Sequence, residues 1–459
     1  MLFSSLEFIF LFLPITLIAY YLSPRVLKNA VILLSGIVFY AFGEIGLLPI
    51  FLATIAIDFG FGLIIEKCRQ RKRAARVMLA LAVAFNLALL GYFKYFDFLR
   101  ESIFGLSPLG IALPVGISFY TFQALSYVID VYRGEVRATR NIVSFGAYVA
   151  LFPQLIAGPI VKYSDVERQL SERSVNGALI AGGLRRFICG LAKKVILANA
   201  SGELFEIFLE SESYLGAMAV VFFFGMQIYF DFSGYSDMAI GLGQMLGFEF
   251  VENFNYPYIS RSVSEFWRRW HISLSTFFRE YVYIPLGGSR KGRVRLVINL
   301  LIVWALTGIW HGAAWSFLLW GGYFGLILVL EKLVMKRFID RAPRVLLHAY
   351  SLFFIFLGWL IFASDGIAMT AKQGISVFLR LLFVGMPPLA AEYELVILTG
   401  AIPFIIILML GSTPMPRRIY LTVTKRLSFL SALLPIGAFA LSVSYIVSSG
   451  YNPFLYFRF

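Results

Sequence analysis

The chain of 459 residues is 59% hydrophobic, 17% aromatic and only 14% charged, against about 45–50% apolar and about 25% charged in ordinary soluble domains. A water-soluble fold this apolar would lack the polar residues to cover its own surface, which excludes a soluble enzyme, a disordered chain and a secreted disulfide scaffold and leaves an integral membrane protein. The 40 Lys and Arg against 26 acids give a formal charge of +14; with no soluble basic domain to bind nucleic acid, that surplus reads as cytoplasmic loops facing anionic lipid.

The start, Met1-Leu-Phe-Ser-Ser, carries no positive region and runs into an apolar stretch, so a retained first helix is expected rather than a cleaved signal peptide. Apolar segments near the roughly 20 residues of a membrane helix then follow at about 6–22, 30–47, 48–65, 77–96, 110–131, 142–160, 178–200 and 214–235. Further ones are 296–330, long enough for two short helices, 345–363, 394–411 and 428–448. The expected fold is an all-α polytopic bundle of about 11–13 transmembrane or re-entrant helices. The segments 110–131 and 142–160 contain Pro114, Gly116, Pro153, Gly158 and Pro159. Such breaks at membrane depth need cover from protein or a cavity. With no linker or repeat, residues 1–459 are expected to form one membrane-embedded domain, with 449–459 as a tail. Cys68 and Cys189 lie near basic segments, where a structural disulfide is not expected.

The basic loops orient these segments. Clusters at Lys67–Arg76, Arg133–Arg140, Arg261–Arg295, Lys332–Arg344 and Arg417–Arg426 are cytoplasmic by the positive-inside rule, and the acidic run from Glu203 to Glu212 suits the other side. Counting spans from these clusters places both termini outside.

Chemistry has few places to reside. His271, His311 and His348 are the only histidines. His311 follows Trp310 inside an apolar run. A neutral imidazole can take a proton from a hydroxyl near neutral pH, and an ionisable residue at membrane depth is a functional candidate. An interhelical hydrogen bond with no catalytic part explains it equally. His271 closes Glu265-Phe-Trp-Arg-Arg-Trp-His271, where Arg and Trp suit an interfacial helix. The sharper alternative is an anion site, with Arg268, Arg269, Arg279, Arg290 and Lys291 holding the phosphates of a cytoplasmic cofactor. His348 beside a loop reads as ordinary. Asp231, Asp237 and Gln123 lie in apolar segments, and the two carboxylates need partners there. No metal-ligand cluster, phosphate loop or hydrolase motif occurs in the sequence.

Seven stretches in order resemble one family: Pro114-Val-Gly-Ile-Ser-Phe-Tyr-Thr-Phe-Gln123, Phe152-Pro-Gln-Leu-Ile-Ala-Gly-Pro159, Asp231-Phe-Ser-Gly-Tyr-Ser-Asp237, Asn253-Phe-Asn-Tyr-Pro257, Glu265 to His271, Tyr281-Val-Tyr-Ile-Pro-Leu-Gly-Gly288 and Leu306-Thr-Gly-Ile-Trp-His-Gly312. Together they resemble the membrane-bound O-acyltransferase family, in its bacterial alginate O-acetyltransferase-like branch. The resemblance implies His311 as catalytic histidine and His271 as a second functional one. It also implies a cytoplasmic acetyl-CoA donor, no metal, and an acceptor across the inner membrane. Two departures stand out: Phe324 where the family often has histidine, and Glu280 where it commonly has Asp.

The C-terminal Phe454-Leu-Tyr456-Phe-Arg458-Phe459 resembles the aromatic motif of the small partner in the D-alanyl lipoteichoic acid system, where a terminal tyrosine carries the acyl group. By that analogy Tyr456 takes acetyl near His311 and presents it to an extracytoplasmic O-acetyltransferase or polysaccharide-export partner. The plainer reading is an interfacial aromatic anchor. The function so implied is O-acetylation of an exported or cell-wall polysaccharide. The alternatives are a precursor flippase, which predicts inverted repeats, and a family member acting on a lipid or protein acceptor.

Overall fold

The computed structural model describes residues 1–449 and Leu455. Every regular element among them is helical, and eight stretches among them are long and apolar enough to cross a membrane. One of these, Arg25–Cys68, consists of two helices, Lys28–Glu44 and Leu48–Cys68. The chain turns between them at Ile45–Leu47, and Pro49 falls in the first turn of the second helix, where its missing N–H costs nothing. The chain is therefore an all-α, multi-pass membrane protein.

By internal contacts the chain divides into two compact units: Met1–Phe187 with Tyr235–Val251, and Ile188–Gly234 with Glu252–Phe459.

The first unit is built on the helix Ile117–Arg133, buried along nearly its whole length. Gly116 caps it at φ 74°, and a Cβ there would lie 2.3 Å from the Leu155 carbonyl oxygen. Only glycine fits that approach and that backbone conformation. The expected break in 142–160 falls between the helix Ile142–Val149 and the short turn Phe152–Leu155. Ala150, Leu151 and Phe152 are fully buried there. Gln154 Nε2 donates to the Tyr148 carbonyl at 2.7 Å, and Tyr148 Oη donates to the Val161 carbonyl at 3.0 Å. The irregular backbone is thus covered by protein and supplied with side-chain partners, as the bilayer demands. Asn86 Nδ2 donates to Asp58 Oδ1 at 2.7 Å, and both residues are fully buried, joining Leu48–Cys68 to Lys72–Leu90.

The second unit contains the helical hairpin Arg293–His311 and Trp315–Leu333, which the sequence places in the single run 296–330. Gly308 and Gly321 face each other at the crossing. A Cβ on Gly308 would meet the Phe317 carbonyl oxygen at 2.3 Å, and one on Gly321 the Trp304 carbonyl oxygen at 2.4 Å. Small residues at such a crossing let backbones touch, and close packing of this kind holds helices together in lipid. Arg344–Ala363 packs against the hairpin, and the second unit also contains Glu392–Gly411 and Leu430–Ser448. The last two bury little of their apolar surface, as befits helices bathed by lipid tails.

Candidate active site

His311 ends the helix Arg293–His311, and Gly312 continues the chain in extended form. The imidazole is 6% exposed. Its ring lies edge-on to Trp320 at 5.1 Å and to Phe362 at 5.4 Å.

His271 precedes the helix Ile272–Phe278 with a left-handed φ of 45°, a costly conformation for a non-glycine residue. Asn253 holds it. The Asn253 carbonyl accepts the Ile272 N–H at 3.0 Å. Its side-chain Oδ1 accepts from Ser273 N–H at 3.2 Å and Ser273 Oγ–H at 2.9 Å. Because a backbone N–H can only donate, this oxygen is an acceptor, so His271 Nδ1, 3.2 Å away, must donate to it. The tautomer is fixed, with Nε2 presenting a lone pair. Burial pushes the His271 imidazole down from its usual value to about 3, so the ring is neutral at physiological pH.

Both histidines line one cavity of ≈ 260 Å³. Trp310 bridges them, its ring 6.0 Å from His271 and 5.0 Å from His311. Trp267 and Trp304, with ring centroids 4.7 Å apart, also line the cavity. Three cations complete it: Arg268, Arg279 and Lys332. No acidic residue is among the described residues that line it. The helix Val263–Arg269, which carries Trp267 and Arg268, is docked by Glu331. That buried carboxylate accepts the Val263 and Ser264 N–H groups at 2.7 and 2.8 Å, meeting the positive end of the helix.

The residues singled out in the sequence distribute unevenly. Arg268 and Arg279 line the cavity, whereas Arg269 turns to Glu265 at 2.9 Å and to the Asn255 carbonyl at 3.1 Å. Lys291 is exposed on the turn before the hairpin and is not among the lining residues. Lys332 belongs to a cluster read as orienting charge, yet its end of the helix borders the cavity. Its ammonium lies 6.0 Å from the Tyr283 ring centroid. Phe324 is fully buried, 4.9 Å from the Trp267 ring, and completes an aromatic wall. His348 Nδ1 donates to the Ser260 carbonyl at 3.1 Å, an ordinary structural bond.

The two aspartates find separate partners. Within the first unit Asp237 accepts from Arg186 at 2.9 Å; within the second, Asp231 pairs with Lys194 at 3.0 Å. Gln123 is fully buried in the first unit, and its amide has no hydrogen-bond partner among the described residues. Phe454, Tyr456, Arg458 and Phe459 lie outside the described residues. Among the described residues no group of three or more His, Cys, Asp or Glu side chains could hold a metal ion.

Residues 133–371 match the family model described as MBOAT, membrane-bound O-acyltransferase family. The chain is 43% identical over 396 residues to "Probable alginate O-acetylase AlgI" of Azotobacter vinelandii, covering 82% of this chain and 78% of that protein. It is 33% identical over 416 residues to the peptidoglycan O-acetyltransferase of Helicobacter pylori, covering 81% and 79%. A more distant similarity, 26% over 235 residues, links it to the teichoic acid D-alanyltransferase of Bacillus subtilis, covering 48% and 60%.

Proposed function

The chain belongs to the membrane-bound O-acyltransferase family, and from that premise we propose that it passes acetyl from cytoplasmic acetyl-CoA across the bacterial inner membrane for O-acetylation of an exported or cell-wall polysaccharide. Acyl transfer is common to the family, and the relatives named above are an alginate O-acetylase, a peptidoglycan O-acetyltransferase and a teichoic acid D-alanyltransferase. The observation that carries the acetyl-CoA reading is one cavity in which two buried histidines share walls with Arg268, Arg279 and Lys332 and, among the described residues, no carboxylate.

A cavity of ≈ 260 Å³ suits the thioester end of the donor rather than its nucleotide. Arg268, Arg279 and Lys332 would meet the phosphates that stay outside; guanidinium forks suit phosphate oxygens especially well. His311 acts as general base. It takes the proton of an attacking hydroxyl as the oxygen bonds to the thioester carbonyl carbon; the C–S bond breaks, and CoA leaves as thiolate and collects that proton. His271, neutral and held by Asn253, lines the same cavity and positions its wall. The aromatic walls exclude water, which would otherwise hydrolyse the thioester.

By the positive-inside rule the cationic rim faces the cytoplasm and both termini lie outside. Tyr456 is the proposed hydroxyl that carries acetyl outward, flanked in sequence by Phe454, Arg458 and Phe459. A phenol has an unperturbed pKa of about 10, so transfer at neutral pH needs the His311 base. An extracytoplasmic O-acetyltransferase or a polysaccharide-export protein is the proposed recipient.

The test is release of free CoA thiol from acetyl-CoA by the purified chain in lipid nanodiscs, alongside acetylation of the exported polymer in cells. His311→Ala should lower both by roughly 10²–10⁴-fold while the protein remains in the membrane. Unaltered CoA release in that variant, or none by the wild-type chain, would sink the assignment. Tyr456→Phe should abolish polymer acetylation, and retained acetylation would reduce the tail to an anchor.

A further inference from the structure

Asp231 and Lys194 form an ion pair 3% and 1% exposed. Asp231 lies on the helix Tyr214–Met245, and Lys194 on the π-helical turn Lys193–Ala198. The turn approaches that helix closely because residue 234 is glycine: a Cβ there would lie 3.0 Å from the Lys194 backbone nitrogen. Lys194 Nζ also donates to Asn199 Oδ1 at 2.8 Å. A buried pair of this kind is a poor source of stability, because desolvation offsets much of the attraction. One oxygen of Asp231 faces Lys194. The other, Oδ2, accepts the backbone N–H of Leu455 at 3.0 Å, and Leu455 itself is 4% exposed.

We propose that the Lys194–Asp231 pair is the docking site for the C-terminal segment of this same chain, with Asp231 as the positioning residue that holds its backbone at Leu455. Lys194 fixes the carboxylate so that one lone pair points at the docked amide, and a charged acceptor strengthens that bond. Recognition through the main chain is indifferent to what the next side chain, Tyr456, carries, so the dock need not let go between acylated and free states. It also lies near His271 in space. Phe232, the neighbour of Asp231, packs its ring edge-on against His271 at 4.7 Å. The use of the dock for acyl transfer rests on the carrier reading of Tyr456; the docking itself does not.

The test is a carboxypeptidase Y time course on the detergent-solubilised full chain, followed by intact mass. In the wild type, digestion should stop at or before residue 456. Asp231→Ala should let it pass Leu455 at least tenfold faster, with the tryptic pattern of the other loops unchanged. Asp231→Asn, isosteric but without the charge, should shift the stop point in the same direction and serves if the Ala variant does not fold. Immediate digestion past Leu455 in the wild type, or an unchanged stop point and rate in a folded variant, overturns the proposal. Tyr456→Phe separates the two ideas. It should leave the stop point unaltered, so retained acetylation in that variant fails the carrier reading while the dock stands.

Discussion

The side-chain oxygen of Asn253 holds His271 at Nδ1, 3.2 Å away, while accepting both donors of Ser273. One amide oxygen thus fixes the tautomer of a buried imidazole and anchors the backbone turn that presents it. Asn253→Ala removes both functions and takes the shared acceptor from three donors, each lost bond costing about 1–3 kcal/mol where the donor stays buried. We expect a lower melting temperature and a loss of roughly tenfold or more in kcat/KM. Ser273→Ala removes one of the three donors without touching the histidine and should cost much less. Comparable losses in the two variants would deny Asn253 its special role.

The burial of His271 gives a second prediction, in acid. Its folded pKa of about 3 lies below the ordinary value of 6.5, so between those values the unfolded chain binds the extra proton. Stability from neutral His271 is therefore complete above about pH 6.5 and declines as pH falls toward 3, by about 2 kcal/mol between pH 6.5 and 5. His271→Gln cannot take up that proton. Its melting temperature should fall less than that of the wild type between pH 7.5 and 5.0, measured in one detergent at constant ionic strength. Parallel declines would show that His271 is not the titrating group.

The cationic rim predicts a division among basic residues that look alike in sequence. Arg268→Ala, Arg279→Ala and Lys332→Ala should each raise KM for acetyl-CoA with little change in kcat, the signature of lost uniform binding. Exposed charges contribute up to about 1 kcal/mol each, so the expected rise is roughly two- to fivefold, shrinking at high salt. Lys291→Ala should leave KM unchanged. An equal effect at Lys291 would place the phosphate contacts elsewhere.

This contrast also shows how far the sequence was legible. The spanning helices follow from the bilayer itself, because about 20 apolar residues must run without interruption, and the breaks at Gly116 and near Pro153 follow from residues that cannot continue a helix. The family motifs marked His271 and His311. Lys332 stayed hidden because a charge run that orients a loop has the same composition as one bordering a cavity. Lys194 stayed hidden for a geometric reason: the π-helical turn Lys193–Ala198 adds a residue to the helical repeat, shifting the faces that an α-helical periodicity would assign. The carboxylate at Asp231 announced its need for a partner, but only packing of distant helices names that partner. The helices Tyr163–Glu172 and Met415–Arg426 escaped because they are too polar and short to resemble membrane spans.

The hairpin that carries His311 supplies the last prediction. Gly308 faces the Phe317 carbonyl oxygen so closely that an added Cβ would lie 2.3 Å from it, with Gly321 Cα 3.3 Å away. Backbone cannot yield as a flexible side chain does, so Gly308→Val must push the helices Arg293–His311 and Trp315–Leu333 apart. Overpacking of this kind typically costs about 1–3 kcal/mol. The displacement acts one turn before His311, and sub-ångström errors in placing a base lower the rate well before a fold collapses. Gly322, beside Gly321 on the outer face, has nothing within 4 Å of an added Cβ and is the control. Gly308→Val should lose most activity, with a lower melting temperature and reduced monodisperse yield in fluorescence-detected size exclusion, whereas Gly322→Ala should match the wild type in all three. If Gly308→Val retained full acetyl transfer, close contact between the two helices would not be what sets the position of the histidine.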